Sequence, residues 1–177
     1  MTKNVVITGA NRGIGLAMTK IFSDQGHSVF ALCRHSSPAL ESLNVTVITD
    51  VDVSTVAGIS VMVNALKTIQ IDTLVCNAGI LRDEQLGNLN LDTIREQFEV
   101  NALAPLIVVD ALIEQLTSGS QVAMITSRMG SIADNGSGGR YGYRMSKAAL
   151  NAAAMSLSKD LVPKNISVGI YHPGYVQ

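Results

Sequence analysis

Tyr143 and Lys147 stand four residues apart in the helix-patterned run Tyr141-Gly-Tyr-Arg-Met-Ser-Lys-Ala-Ala-Leu-Asn151. Four residues is about one helical turn, so both side chains point into the same space. A free phenol, with a pKa of about 10, is a poor acid or base near neutrality. An ammonium held beside it favours the phenolate and brings the tyrosine into a range useful for proton transfer. Alone, such a pair is most often an ordinary helix start with a solvated lysine. Its weight here comes from what precedes it in the chain.

The strand-like Val5-Val-Ile-Thr8 runs at once into Gly9-Ala-Asn11-Arg12-Gly13-Ile14-Gly15, after which Leu16, Ile21 and Phe22 carry a helical apolar face to Gly26. Strand, glycine turn and helix make the context a phosphate-binding loop requires: the glycines allow close backbone approach, and the helix N-terminus offers unpaired N–H groups. The spacing is Gly-x-x-x-Gly-x-Gly, not the commoner Gly-x-Gly-x-x-Gly. The next strand, Val29-Phe-Ala-Leu-Cys33, ends in Arg34. An acidic residue near this position hydrogen-bonds a ribose 2′-hydroxyl in NAD-binding folds. A basic residue there, with Arg12 close by, suits a 2′-phosphate, so NADP(H) is expected over NAD(H).

Further strands are expected at Val45–Thr49, Asp72–Cys76, Gln121–Thr126 and Ile166–Tyr171. A helix from about Ser54 should place Ile59, Met62, Val63 and Leu66 on its apolar side, and one long helical stretch should run from Leu91 to Leu116, bent near Pro105. Strands alternating with helices indicate an α/β fold: a doubly wound parallel sheet with helices on both faces. Ligands on such sheets sit at the carboxyl ends of the strands, where Gly9, Arg34, Asn77, Ser127 and Pro173 all fall.

The 177 residues are enough for a single domain, 1–177, with a sizeable core. Thirteen Lys and Arg against 14 Asp and Glu leave a net charge of −1, which implies no nucleic-acid surface. No apolar run reaches the roughly 18 residues of a membrane span. Cys33 and Cys76 lie in apolar runs without metal-ligand spacing, so no metal is expected and both thiols read as reduced in a cytoplasmic chain.

Taken together, Thr8-Gly-x-x-x-Gly-Ile-Gly15, Asn77-Ala78-Gly79, Ser127, Tyr143-x-x-x-Lys147 and Pro173-Gly174 resemble the motifs of the short-chain dehydrogenases/reductases, in that family's order and over the whole chain. The run from Arg128-Met-Gly-Ser-Ile to Asn151 further resembles the sniffer and C-factor branch, described as NADPH-dependent carbonyl reductases or as signalling proteins. The resemblance implies a Rossmann-type sheet and an oxidoreductase acting on an aldehyde or ketone, with a non-catalytic NADP(H)-binding regulator as the alternative. Tyr143 would then exchange a proton with the substrate oxygen, and Ser127 would polarise the carbonyl. Lys147 would lower the tyrosine pKa and meet the nicotinamide ribose, while Asn101 would anchor a water in a proton relay. The turn residues Gly9 to Gly15, with Asn77, Ala78, Gly79, Pro173, Gly174 and the backbone of Val176, would line the cofactor. An Asp-Val pair would meet the adenine: Asp50-Val51 or Asp52-Val53, of which the second fits the family's spacing better. Members of the family continue beyond the residue matching Gln177 with a substrate loop, a helix and a further strand. A missing C-terminal segment is therefore expected. The Ala-rich face at Ala148, Ala149, Ala152 and Ala153 suits helix packing in a homodimer or homotetramer.

Overall fold

The computed structural model describes residues 1–174. Six strands form one all-parallel sheet: β1 (Asn4–Thr8), β2 (Ser28–Leu32), β3 (Thr46–Ile48), β4 (Ile71–Cys76), β5 (Leu116–Ile125) and β6 (Ser167–Tyr171). Their spatial order is β3-β2-β1-β4-β5-β6. The chain starts at the middle of the sheet, winds outward to β3, then returns to β4 and winds the other way. The crevice opens where that direction reverses, between the ends of β1 and β4.

Period-two alternation assigns each strand residue to a face. Val6, Leu74, Cys76, Val122 and Met124 pack on one side, against Met62 and Leu66 of α3 (Val56–Leu66), Val108 and Val109, and Leu150 and Ala154. Val5, Ile7, Val29, Ala31 and Val75 pack on the other, against Leu16, Met18 and Phe22 of α1 (Gly13–Asp24) and Leu40 of the short α2 (Pro38–Glu41). Strands buried on both faces read as near-continuous apolar runs, which is how β1, β2 and β4 stand out in the sequence.

Two expectations are corrected. The stretch from Leu91 is not one helix to Leu116. It divides into α4 (Leu91–Phe98), a π-helical segment (Glu99–Leu103) and α5 (Ala104–Ala111), and the chain has already entered β5 at Leu116. The irregularity sits at Asn101, before Pro105, because both ends of the buried Asn101 amide are taken by the backbone of Ile80 and the helix widens to present it. β5 in turn begins five residues earlier than Gln121. Its pairing with β4 jumps from Ile71–Leu116 to Thr73–Gln121, and Gly119 turns at φ +91° within the intervening bulge. The α6 helix (Tyr141–Asp160) carries the Tyr–Lys pair and buries Gly142, Ser146, Lys147, Leu150 and Ala154.

One side chain joins the two strands that frame the crevice. The Thr8 hydroxyl, 2% exposed, accepts the N–H groups of both Asn77 and Ala78 at 3.0 Å. Thr8→Val keeps the shape and removes the acceptor, leaving two partly buried donors unpaired. The expected loss is about 2–4 kcal/mol of unfolding free energy in urea titrations; a loss within experimental error would show that this junction does not hold the crevice.

Candidate active site

The glycine turn packs against the start of the β4 loop with no spare room. Asn77 Nδ2 donates to the carbonyls of Thr8 (3.0 Å) and Gly9 (3.2 Å). A Cβ on Gly15 would collide with the Gly9 carbonyl and lie 2.6 Å from Asn77 Nδ2, and one on Gly9, at φ +66°, would lie 2.9 Å from Ala78 Cα. Around Gly13, at φ +54°, there is open space instead. The N-cap of α1, Arg12, makes no side-chain capping bond, and no acidic residue occupies the first turn. A helix end with free N–H groups beside an open glycine is a place for an anion. It faces a cleft of about 450 Å³ lined by Gly9, Asn11, Arg12, Gly13 and Ile14 on one side and Asn77, Ala78 and Gly79 on another. Asn11 braces the turn by donating to the His35 carbonyl at 2.9 Å.

The far end of this cleft holds Arg34, Val51, Asp52 and Val53. Of the two acidic candidates, Asp52 lines the cleft. Asp50 instead stands at φ +61° and accepts the Thr49 hydroxyl at 3.2 Å. The Ser54 hydroxyl at 2.6 Å, helped by the Ser54 N–H and the Arg34 charge, holds Asp52 below its ordinary pKa against an opposing effect of burial. Arg34, with its side chain 64% exposed, is 3.9 Å from that carboxylate. Cys33 also lines the cleft; burial first, and the Asp50 charge second, raise its pKa. Burial pushes the Cys76 thiol up to about 12.

A second cleft of about 290 Å³ continues from Asn77 and Gly79 to Ser127, Tyr143, Lys147, His172, Pro173 and Gly174. Three of the four expected catalytic residues, Ser127, Tyr143 and Lys147, therefore line one cleft. Ser127 is delivered by the end of β5 and accepts the Met129 N–H at 3.2 Å, starting one turn of 3-10 helix at Arg128–Gly130. The Lys147 ammonium lies 5.9 Å from the Tyr143 ring centroid and donates to the Ile125 carbonyl at 2.9 Å. Asn101, 0% exposed, is not on the wall of the cleft. Its amide accepts from Ile80 N and donates to Ile80 O, both at 2.8 Å, and donates to Ser146 Oγ at 3.0 Å. Val176 lies outside the described residues.

Several supporting residues escaped the sequence reading. Ser146 passes the Asn101 bond on to the Tyr143 carbonyl, at 2.9 Å. Asn151 accepts the Thr126 hydroxyl at 2.7 Å and ties the end of β5 to α6. Glu84 and Gln97, both buried, meet the first turn of α6. None carries a local signal, because the bonds that join these residues across elements, Glu84–Gln97, Glu84–Gly142, Asn101–Ser146 and Thr126–Asn151, span 13 or more residues. Among the described residues no group of His, Cys, Asp and Glu could hold a metal ion, and no helix is long and apolar enough to cross a membrane.

The model of the short chain dehydrogenase family matches residues 3–177. The chain belongs to that family. It is 36% identical over 174 residues to the 1-hydroxy-2-glutathionyl-2-methyl-3-butene dehydrogenase of Rhodococcus sp. (strain AD45), a match covering 97% of this chain and 77% of the relative. It is 46% identical over 110 residues to the C-signal of Myxococcus xanthus, covering 60% of this chain and 66% of that protein. The crystal structure of a carbonyl reductase from Pseudomonas aeruginosa PAO1 in complex with NADP superposes with a TM-score of 0.90 at 31% identity, over all of this chain and 81% of the other. The chain is accordingly an oxidoreductase of the short chain dehydrogenase family.

Lys147 gives the site a measurable pH signature. Burial lowers its pKa from 10.5 to about 8. Below about 8 the folded and unfolded chains both carry the charge, and the folded one bears the cost of burying it. Between about 8 and 10.5 only the unfolded chain keeps the proton, so the stability contributed by this residue rises with pH across that window. Lys147→Met removes the titration. The expected outcome is that the wild-type Tm gains on that of the variant as pH rises from 8 to 10.5; parallel curves would show a lysine with an ordinary pKa.

Proposed function

We propose that this chain reduces aldehydes or ketones with NADPH, Tyr143 supplying the proton. The observation that carries the reading is the convergence of Ser127, Tyr143 and a buried Lys147 in one cleft that continues into the glycine-turn cleft. The residues present fit a dinucleotide, since open space at Gly13 adjoins the uncapped N-terminus of α1. The N–H groups of Gly13, Ile14 and Gly15 would take the pyrophosphate, with Gly9 and Asn11 shaping the turn. Arg12 and Arg34 would take a 2′-phosphate, Asp52 and Val53 the adenine, and Asn77, Ala78, Gly79, Pro173, Gly174 and Val176 the remaining contacts. When bound, the cofactor supplies the hydride chemistry.

The chain's own residues handle the oxygen. A carbonyl oxygen becomes more negative as its carbon is reduced, and donors already in place stabilise the developing charge. The Ser127 hydroxyl would hold that oxygen, and the Tyr143 hydroxyl would deliver its proton to it. Lys147, fixed by the Ile125 carbonyl, keeps a positive charge against the Tyr143 ring. Asn101 would serve by holding Ile80 and Ser146 in place and, with a water, by relaying protons to Lys147.

The preference for NADP(H) rests on Arg34. Its only acidic neighbour within ion-pair reach among the described residues is Asp52 at 3.9 Å, on a side chain that is largely exposed, so a phosphate can recruit it at small cost. The NADP complex of the Pseudomonas carbonyl reductase supports the same choice. Similarity to the C-signal of Myxococcus xanthus favours a second reading, a protein whose output is cofactor binding without turnover. The exposed Leu103, Leu106 and Ile107 of the α5 region, with Met145 and Met155 of α6, suit a homodimer or homotetramer.

Two experiments test these readings. Tyr143→Phe should lower turnover of a carbonyl panel by at least about a hundredfold and leave NADPH affinity nearly unchanged. A wild-type chain that binds NADPH but reduces no member of the panel selects the signalling reading. Arg34→Asp should weaken NADPH binding by at least about tenfold relative to NADH, measured by calorimetry; an unchanged ratio would remove Arg34 from cofactor choice.

A further inference from the structure

The helix that carries Tyr143 begins without a cap of its own. Its N-cap residue, Arg140, stands in the left-handed region at φ +51° and makes no side-chain capping bond. The group that meets the helix start comes from 58 residues earlier: Glu84 Oε2 accepts the Gly142 N–H at 3.2 Å. Glu84 is 2% exposed, and its other oxygen accepts Gln97 Nε2 at 2.6 Å and the Thr93 hydroxyl at 3.0 Å. Its backbone carbonyl accepts the Arg140 N–H at 2.8 Å. Gln97, 0% exposed on α4, closes the network by accepting the Arg82 N–H at 2.9 Å.

The contact is tight enough to dictate a residue. A Cβ on Gly142 would collide with Gln97 Nε2 and lie 3.0 Å from Ile94 Cα and 3.2 Å from Glu84 Oε1. The glycine next to Tyr143 lets the helix start settle onto the Glu84–Gln97 pair. Tyr143 is thereby held from both sides. The N–H of the preceding residue is bound by Glu84, and its own carbonyl accepts the Ser146 hydroxyl, itself bonded by Asn101. A negative group at a helix N-terminus also suits the helix dipole.

We propose that Glu84 is a positioning residue for catalysis: its buried carboxylate, oriented by Gln97 and Thr93, fixes the first turn of α6 and so the place of the Tyr143 hydroxyl in the cleft. Small displacements of a reacting group cost large factors in rate, which gives such a clamp a catalytic consequence. The inference rests on the proton-donor role proposed for Tyr143, but the clamp itself can be read without turnover.

The test compares wild type, Glu84→Gln, and the exchange variant Glu84→Gln/Gln97→Glu, in chain labelled with ¹³Cζ-tyrosine. Tyr143→Phe assigns the resonance. Glu84→Gln leaves one acceptor oxygen, so either the Gly142 bond or the bonds from Gln97 and Thr93 are lost. The exchange variant allows the bond to Gly142 and an amide–carboxylate bond between the two side chains to be made at once, with the wild-type net charge. The Tyr143 resonance is expected to move in Glu84→Gln and return toward the wild-type position in the exchange variant. On a reducible carbonyl, kcat is expected to fall at least about tenfold in Glu84→Gln, with NADPH affinity unchanged, and to recover in the exchange. Thr93→Val, which removes one bond to the carboxylate, should give the same changes at smaller size if Glu84→Gln folds poorly. A lowered Tm with an unmoved Tyr143 resonance would make Glu84 a structural residue only and overturn the proposal. A moved resonance in a chain that turns over no carbonyl would uphold the clamp and reject the reductase reading instead.

Discussion

Where the strands of a parallel sheet end together, the loops that leave them carry N–H and C=O groups with no ladder partner. Here that edge is also the site, so the polar backbone must be satisfied by side chains before anything can bind. Thr8 takes two N–H groups of the β4 loop, Asn77 returns two bonds to the glycine turn, and Asn101 takes both polar groups of Ile80. These bonds are 2.8–3.2 Å long and at least partly shielded from water, which makes them costly to lose. Rigidity of the crevice follows from polar groups tied to one another more than from apolar packing, which lies deeper between sheet and helices.

The same constraint explains what the sequence made legible. Residues that must be glycine or a particular polar type to finish a strand end at fixed spacing, such as Gly9, Gly15, Asn77 and the Tyr143–Lys147 pair, are visible because chemistry limits the alternatives locally. The sheet was visible because strands buried on two faces are apolar throughout. Asn101 was flagged, but the widened turn around it was not: the segment around it keeps a helical composition, and the irregularity is imposed by Ile80, 21 residues away. β5 hid its first five residues because Ser118-Gly119-Ser120 reads as a turn, whereas in the fold Gly119 bulges and the Ser120 hydroxyl donates to the Ile71 carbonyl at 2.6 Å. α2 is only a turn long and is set by Ser37 capping Leu40 N, too short for any periodicity to register.

Electrostatics divides the crevice into two unlike halves. At the Arg34 end the charges are exposed and loosely paired, so they can rearrange around an incoming group at little cost. At the Lys147 end the ammonium is 4% exposed and anchored to a strand carbonyl, so its field is weakly screened and its position fixed. In the function proposed above, recognition would use the first arrangement and proton handling the second.

The two cysteines bear on how such a chain tolerates its surroundings. Cys33 sits on the wall of the glycine-turn cleft, and Cys76 lies at the end of β4 beside it. Burial holds both as thiols, and the thiolate is the form that peroxides and electrophiles attack. Sulfur therefore lies alongside the glycine-turn cleft mainly as packing material. A cleft walled by such thiols is expected to be insensitive to oxidants that act through the thiolate.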